Sequence, residues 1–146
     1  MSNERINVHE AYTEIWALLI HSYYLSITTN KLIESKISTY ELFCDYVIIE
    51  KHWSNELAGK LLGKISAGAN VNKRTNTLSY YIIKTEILND LKGLLNICKS
   101  PTLGIRPTNN SHFLDYLKKT SKISKIKKSQ HTLPSTMIIS SLKIKY

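Results

Sequence analysis

The feature that most constrains this chain is a helical apolar period that fills residues 7–98 almost without interruption. Apolar side chains at i, i+4, i+7 and i+11 land on one face of a helix, whereas a half-buried strand needs strict alternation. Tyr12, Trp16, Leu19 and Tyr23 have the helical spacing and predict a first helix from Asn7 to about Ile27. Asn7 reads as its N-cap, with Glu10 three residues on, and Thr28-Thr29-Asn30 reads as the turn that ends it. A second helix is predicted from Thr39 to Leu62. Ser38-Thr39-Tyr40-Glu41 has the S-x-x-E form of a capping box, and Gly63 is placed to end the helix. Leu42, Tyr46, Ile49, Trp53 and Leu57 make its apolar stripe. Glu41, Asp45, His52 and Glu56 fall mostly on the opposite, solvated side, with Glu50 at the edge of the stripe.

After a polar loop at 66–76, a third helix is predicted from Thr77, as N-cap, to Cys98. Ile83, Ile87, Leu91, Leu94 and Cys98 mark one face. Leu78, Ile82, Leu88 and Leu95 widen it, so this helix belongs at the centre. Pro101, Gly104 and Pro107 mark a loop, and a short fourth helix starts near Asn110 or Ser111 with Phe113, Leu114 and Leu117. The expected fold is mostly α: three long helices plus a short fourth, packed as a bundle over residues 1–117. A basic, weakly structured tail follows at 118–146, in which Thr136–Ile144 is extended or disordered.

Charge sharpens that division. The chain has 146 residues, enough for one domain with a sizeable core, and a net charge of +9. Residues 1–98 hold 10 Lys+Arg and 10 Asp+Glu, whereas residues 99–146 hold 10 basic residues and one acid, Asp115. A neutral domain with a basic tail fits this better than a uniformly basic binder. Lys118, Lys119, Lys122, Lys125, Lys127 and Lys128 contact phosphates by charge alone if a polyanion is the partner. The same run also reads as a solubilising extension. Base-stacking aromatics are missing from it, and Ile123 and Ile126 are too few for an amphipathic membrane anchor.

No apolar run is long enough to span a membrane, and Met1-Ser2-Asn3-Glu4-Arg5 does not open a signal peptide. Cys44 and Cys98 have no metal or disulfide spacing and read as reduced thiols, which places the chain in the cytoplasm. GxGxxG, P-loop and GxSxG motifs are missing, which removes the common nucleotide and acyl-hydrolase readings.

The densest chemistry lies in Val8-His9-Glu10-Ala11-Tyr12-Thr13-Glu14. Glu10 and Glu14 project from one helical face, which Ala17 and His21 continue. Two carboxylates and an imidazole suit a metal or a basic partner. A solvated acidic face near a helix N-terminus, where the dipole favours Glu, accounts for the same spacing. An HExxH zinc helix opening at His9-Glu10 needs a second His at position 13, which is Thr, and the His9-to-Glu14 offset is poor geometry for a shared metal. His52, His112 and His131 show no metal spacing and read as structural or surface residues.

His9-Glu10-Ala11-Tyr12-Thr13-Glu14 resembles the later helix of gluzincin metallopeptidases, which supplies a Glu to a zinc already held by an HExxH helix. The stretch INVHEAYTEIWA, with Glu50, Trp53 and TNTLSYYIIKTEIL, resembles uncharacterised peptidase-like proteins of large DNA viruses over about residues 6–115. The 19 Ile against 5 Ala, with 20 Lys+Arg, agree with an AT-rich source. The resemblance implies Glu10 as a zinc ligand, with Glu14 and His21 behind it. His9 stands where that pattern has Asn, Ala11 where it has Gly, and HExxH occurs nowhere in the chain. On this reading the polypeptide is a C-terminal portion, inactive alone, whose partner is a missing N-terminal metal-binding part. The remaining expectation is a helical scaffold with no site of its own.

Overall fold

The computed structural model describes residues 8–33, 36–68, 77–98, 110–122 and 126–128, and these are helical almost throughout, with no strand among them. Helix α1 spans Val8–Ile33 and α2 spans Thr39–Ser66. A π-helical segment, Leu78–Ile83, runs directly into α3, Lys84–Asn89. Then come α4, Leu91–Ile97, and α5, Asn110–Lys122. Expectations for Asn7, for 69–76, for Pro101–Pro107, for Lys125 and for Thr136–Ile144 lie outside the described residues. Contacts divide the chain into two compact units: residues 1–16 with 70–126, and residues 17–69 with 127–146.

The first unit holds the larger apolar core. Ala11 and Ile15 of α1 are fully buried, as are Ile87 of α3 and Leu94 of α4, with Leu88 and Phe113 almost so. Helix α5 packs on both α3 and α4. The Phe113 ring sets its edge on Tyr12 at 5.4 Å and stacks near Tyr116 at 6.3 Å, which gives this core an aromatic centre. Buried hydroxyls are satisfied along their own helices: Thr85 donates to the Tyr81 carbonyl at 2.6 Å and Thr120 to the Tyr116 carbonyl at 2.8 Å.

The predicted third helix is present but broken. Thr77 is already in helical conformation and its side chain makes no capping bond, so it is not the expected N-cap. The chain breaks at Asp90 (φ −133°, ψ 49°), whose carboxylate accepts from the Gly93 amide at 3.2 Å and starts α4. The Tyr116 hydroxyl, donating to the Asp90 carbonyl at 2.9 Å, ties α5 to that corner. An apolar period cannot reveal such a break, because the period resumes beyond it.

The second unit contains a helical hairpin. Helix α1 runs on through Thr28-Thr29-Asn30 rather than turning there. The reason is that each polar side chain finds a partner without breaking the helix. Thr28 donates back to the Leu25 and Tyr24 carbonyls, Thr29 pairs with the Tyr46 hydroxyl at 2.8 Å, and Asn30 donates to the Ile37 carbonyl at 2.6 Å. Helix α2 likewise passes Gly63 and ends at Ser66, with Gly68 beyond it in the left-handed region (φ 88°) that glycine tolerates.

The capping box of α2 forms as read. Ser38 Oγ accepts from the Glu41 amide at 3.2 Å, and the Glu41 carboxylate accepts from the Ser38 amide at 2.8 Å. The Ser38 amide, and the Ser38 hydroxyl that also donates to Glu41 Oε2 at 2.8 Å, hold the Glu41 carboxyl below its ordinary range. A lowered carboxyl stabilises the fold above the unfolded-state range and loses that contribution as pH falls through the folded one. Ser38→Ala is therefore expected to cost about 1 kcal/mol at neutral pH, and the gap between variant and parent should narrow in acid. Thermal melts at pH 7 and below pH 4 measure both.

Candidate functional site

Helix α1 starts where the chemistry-bearing motif lies, so Glu10 and Glu14 stand one turn apart on one face, both half-buried. The π-helical segment brings Tyr80 to them. Its hydroxyl donates to Glu10 Oε2 at 3.2 Å. The Tyr80 hydroxyl is pushed above the ordinary phenol range, first by that bond, then by the Glu10 charge, partial burial and the charge of Glu14. The tyrosine thus registers the negative field of both carboxylates. Glu14 forms no ion pair among the described residues.

Thr13, at the position an HExxH helix would give to its second His, donates its hydroxyl to the His9 carbonyl at 3.0 Å. It is committed to its own helix and is no ligand. His21 lies in the second unit and is exposed, as are His52 and His112. Cys98 is buried, with its Sγ 4.0 Å from the Tyr12 hydroxyl, and burial pushes its thiol above the usual range, so it is a neutral packing group. Cys44 and Cys98 are both free.

Among the described residues, no group of three His, Cys, Asp or Glu side chains is placed to hold a metal ion. The donor set at the start of α1 is a carboxylate pair with a phenol. It fits one ligand position of a zinc site, not the site itself. Sequence reasoning missed Tyr80 as the partner of Glu10. The tyrosine pair Tyr80-Tyr81 in an otherwise aliphatic run was its only signal, and 70 residues separate it from Glu10.

The basic residues divide between elements. Lys118, Lys119 and Lys122 are carried by α5, beyond the 117 boundary read from the sequence, and all three are exposed; Lys127 and Lys128 are exposed as well. Lys118 pairs with Asp115 at 3.5 Å across the solvent face, a contact of little energetic weight. Toward the core α5 turns Phe113, Tyr116 and Thr120. No helix among the described residues is long and apolar enough to cross a membrane. No family model matches this chain, and no match was found among curated proteins or solved structures.

Proposed function

We propose that this chain contributes the carboxylate ligand, Glu10, to a gluzincin-like zinc centre whose HExxH helix comes from outside these 146 residues. The observation that supports the reading is the pairing of Glu10 and Glu14 on one face of α1, with Glu10 held by Tyr80. A ligand carboxylate works best when a neighbouring donor fixes its orientation, and Tyr80 supplies that donor. Bound there, zinc would act as a Lewis acid on a peptide carbonyl and its attacking water. The chain's own part is to present and orient one anionic oxygen donor.

As it stands, the chain is expected to take up no stoichiometric zinc in elemental analysis. The reading frame upstream of Met1 should encode an HExxH within some tens of residues; a frame without one removes the proposal. In the longer protein Glu10→Gln should lose zinc, and full retention of metal would overturn the ligand assignment.

A second reading rests on the exposed cations of α5. Lys118, Lys119 and Lys122 on one helical end suit a polyanion bound by charge. Because α5 also carries core residues, the test is substitution rather than truncation. The variant Lys118→Ala/Lys119→Ala/Lys122→Ala should abolish a salt-sensitive retention on heparin. Retention unchanged by salt or by the substitutions would end this reading.

A further inference from the structure

We infer that the π-helical winding of Leu78–Ile83 is what sets Tyr80 on Glu10, so that Tyr80 is the positioning residue of that carboxylate and the π turn is the element that places it. The role rests on Glu10 being the working carboxylate proposed above. An α-helix bonds each amide to the carbonyl four residues back and a π-helix to the fifth, so a π turn takes up one residue more. The Lys84 amide does this: it donates to the Ser79 carbonyl. The Thr85 hydroxyl adds its bond to the Tyr81 carbonyl where the winding returns to α.

The extra residue changes which side chains face the core. Two α turns span about seven residues. Uninterrupted α winding would therefore carry the buried line of Ile87 back to Tyr80, and that of Leu88 back to Tyr81. The fold does otherwise. Ser79, one residue further back from Ile87, is fully buried, whereas Tyr80 is half-buried and Tyr81 is exposed.

The chemistry favours that exchange. With α winding both tyrosine rings would turn inward with their hydroxyls, and a buried hydroxyl without a partner is costly. With the π turn a small serine takes the core position, and the Tyr80 hydroxyl turns aside to donate to Glu10 Oε2 at 3.2 Å. Glu10 lies on α1, so its donor comes from a second element of the same unit and restricts the carboxylate from across the fold. Single π turns inside α-helices are rare and recur at functional sites, which agrees with this placement.

The tests use the full chain and need no metal. In the parent, a scalar coupling across the hydrogen bond should join the Lys84 nitrogen to the Ser79 carbonyl carbon. A coupling to the Tyr80 carbonyl in its place means α winding and overturns the inference. Deletion of Tyr81 removes the extra residue and puts Ser79 two α turns before Ile87. The segment should then wind as α with Ser79 and Tyr80 on their present faces. The Tyr80 phenol should still titrate above the ordinary range, because Glu10 still faces it. Were the parent wound as α, the same deletion would turn Tyr80 off Glu10 and return its phenol to the ordinary range, and that result also overturns the inference. Should the deletion chain not fold, the coupling in the parent decides. Tyr80→Phe keeps the ring and loses only the donor. It should move the carbon-13 resonance of the Glu10 carboxyl and leave the helical circular dichroism unchanged; an unmoved resonance means that Tyr80 positions nothing. An upstream frame without HExxH removes the zinc reading and leaves these results standing.

Discussion

Phe113→Ala is expected to remove about 3–5 kcal/mol of stability, enough to unfold the first unit of a marginally stable chain. The ring is 2% exposed and lies between Tyr12 and Tyr116, so it connects α1 with α5. Its removal takes away apolar burial and leaves a cavity among rigid aromatic neighbours that cannot collapse into it. One edge contact, with Tyr12, and one stacked contact, with Tyr116, go with it, each of a kind worth ~0.5–1.5 kcal/mol beyond area. Urea unfolding monitored by circular dichroism measures the loss. A change below about 1 kcal/mol would mean that the ring is not in the core.

The second large effect reverses a general rule. Glycine inside a helix is normally improved by alanine, by up to about 1 kcal/mol. Gly93→Ala is expected instead to destabilise by about 1–3 kcal/mol. A Cβ at position 93 would strike the Asp90 carboxylate, which caps that very amide, and would come within 2.8 Å of Cε2 of the Tyr116 ring. The carboxylate can swing away, at the loss of the cap. The ring is held by its hydroxyl on the Asp90 carbonyl and by Phe113, so it cannot move without opening the α4–α5 contact. Thermal melts decide the sign. An unchanged or raised melting temperature would show that Tyr116 yields more easily than its buried position suggests. Burial raises the Tyr116 hydroxyl far above the ordinary phenol range. In an alkaline titration it should therefore stay protonated through the ordinary phenol range and release its proton only as the fold opens.

Much of the helical content was legible because it is local. The α2 cap needs only Ser38 and Glu41, three residues apart, and it formed where the pattern placed it. The solvated side of α2 was readable only in part: Glu41, Asp45 and His52 are exposed, but Glu56 is half-buried and Ile49, read into the apolar stripe, is exposed. The buried face of α1 was not. The sequence favoured Tyr12, Trp16, Leu19 and Tyr23, yet the fold buries Ala11, Ile15, Ser22 and Ser26, and Tyr23 is exposed. Both faces of that helix are apolar enough to be cores, so hydropathy cannot choose between them. Serine looks polar in a sequence, but its hydroxyl can return to the helix backbone and the residue then serves as a small spacer.

The candidate site divides in the same way. Glu10 and Glu14 on one helical face follow from a spacing of four and an uninterrupted helix, so the sequence by itself determined that pair. It also determined the helical class, the α2 cap and the concentration of positive charge beyond residue 98. Only the tertiary structure could decide that Tyr80 reaches Glu10, that the third helical run breaks at Asp90, and that Tyr116 fixes the break. The Tyr80–Glu10 and Tyr116–Asp90 bonds join residues 70 and 26 apart in the chain, and a local pattern carries no information about which distant hydroxyl will fill a given acceptor.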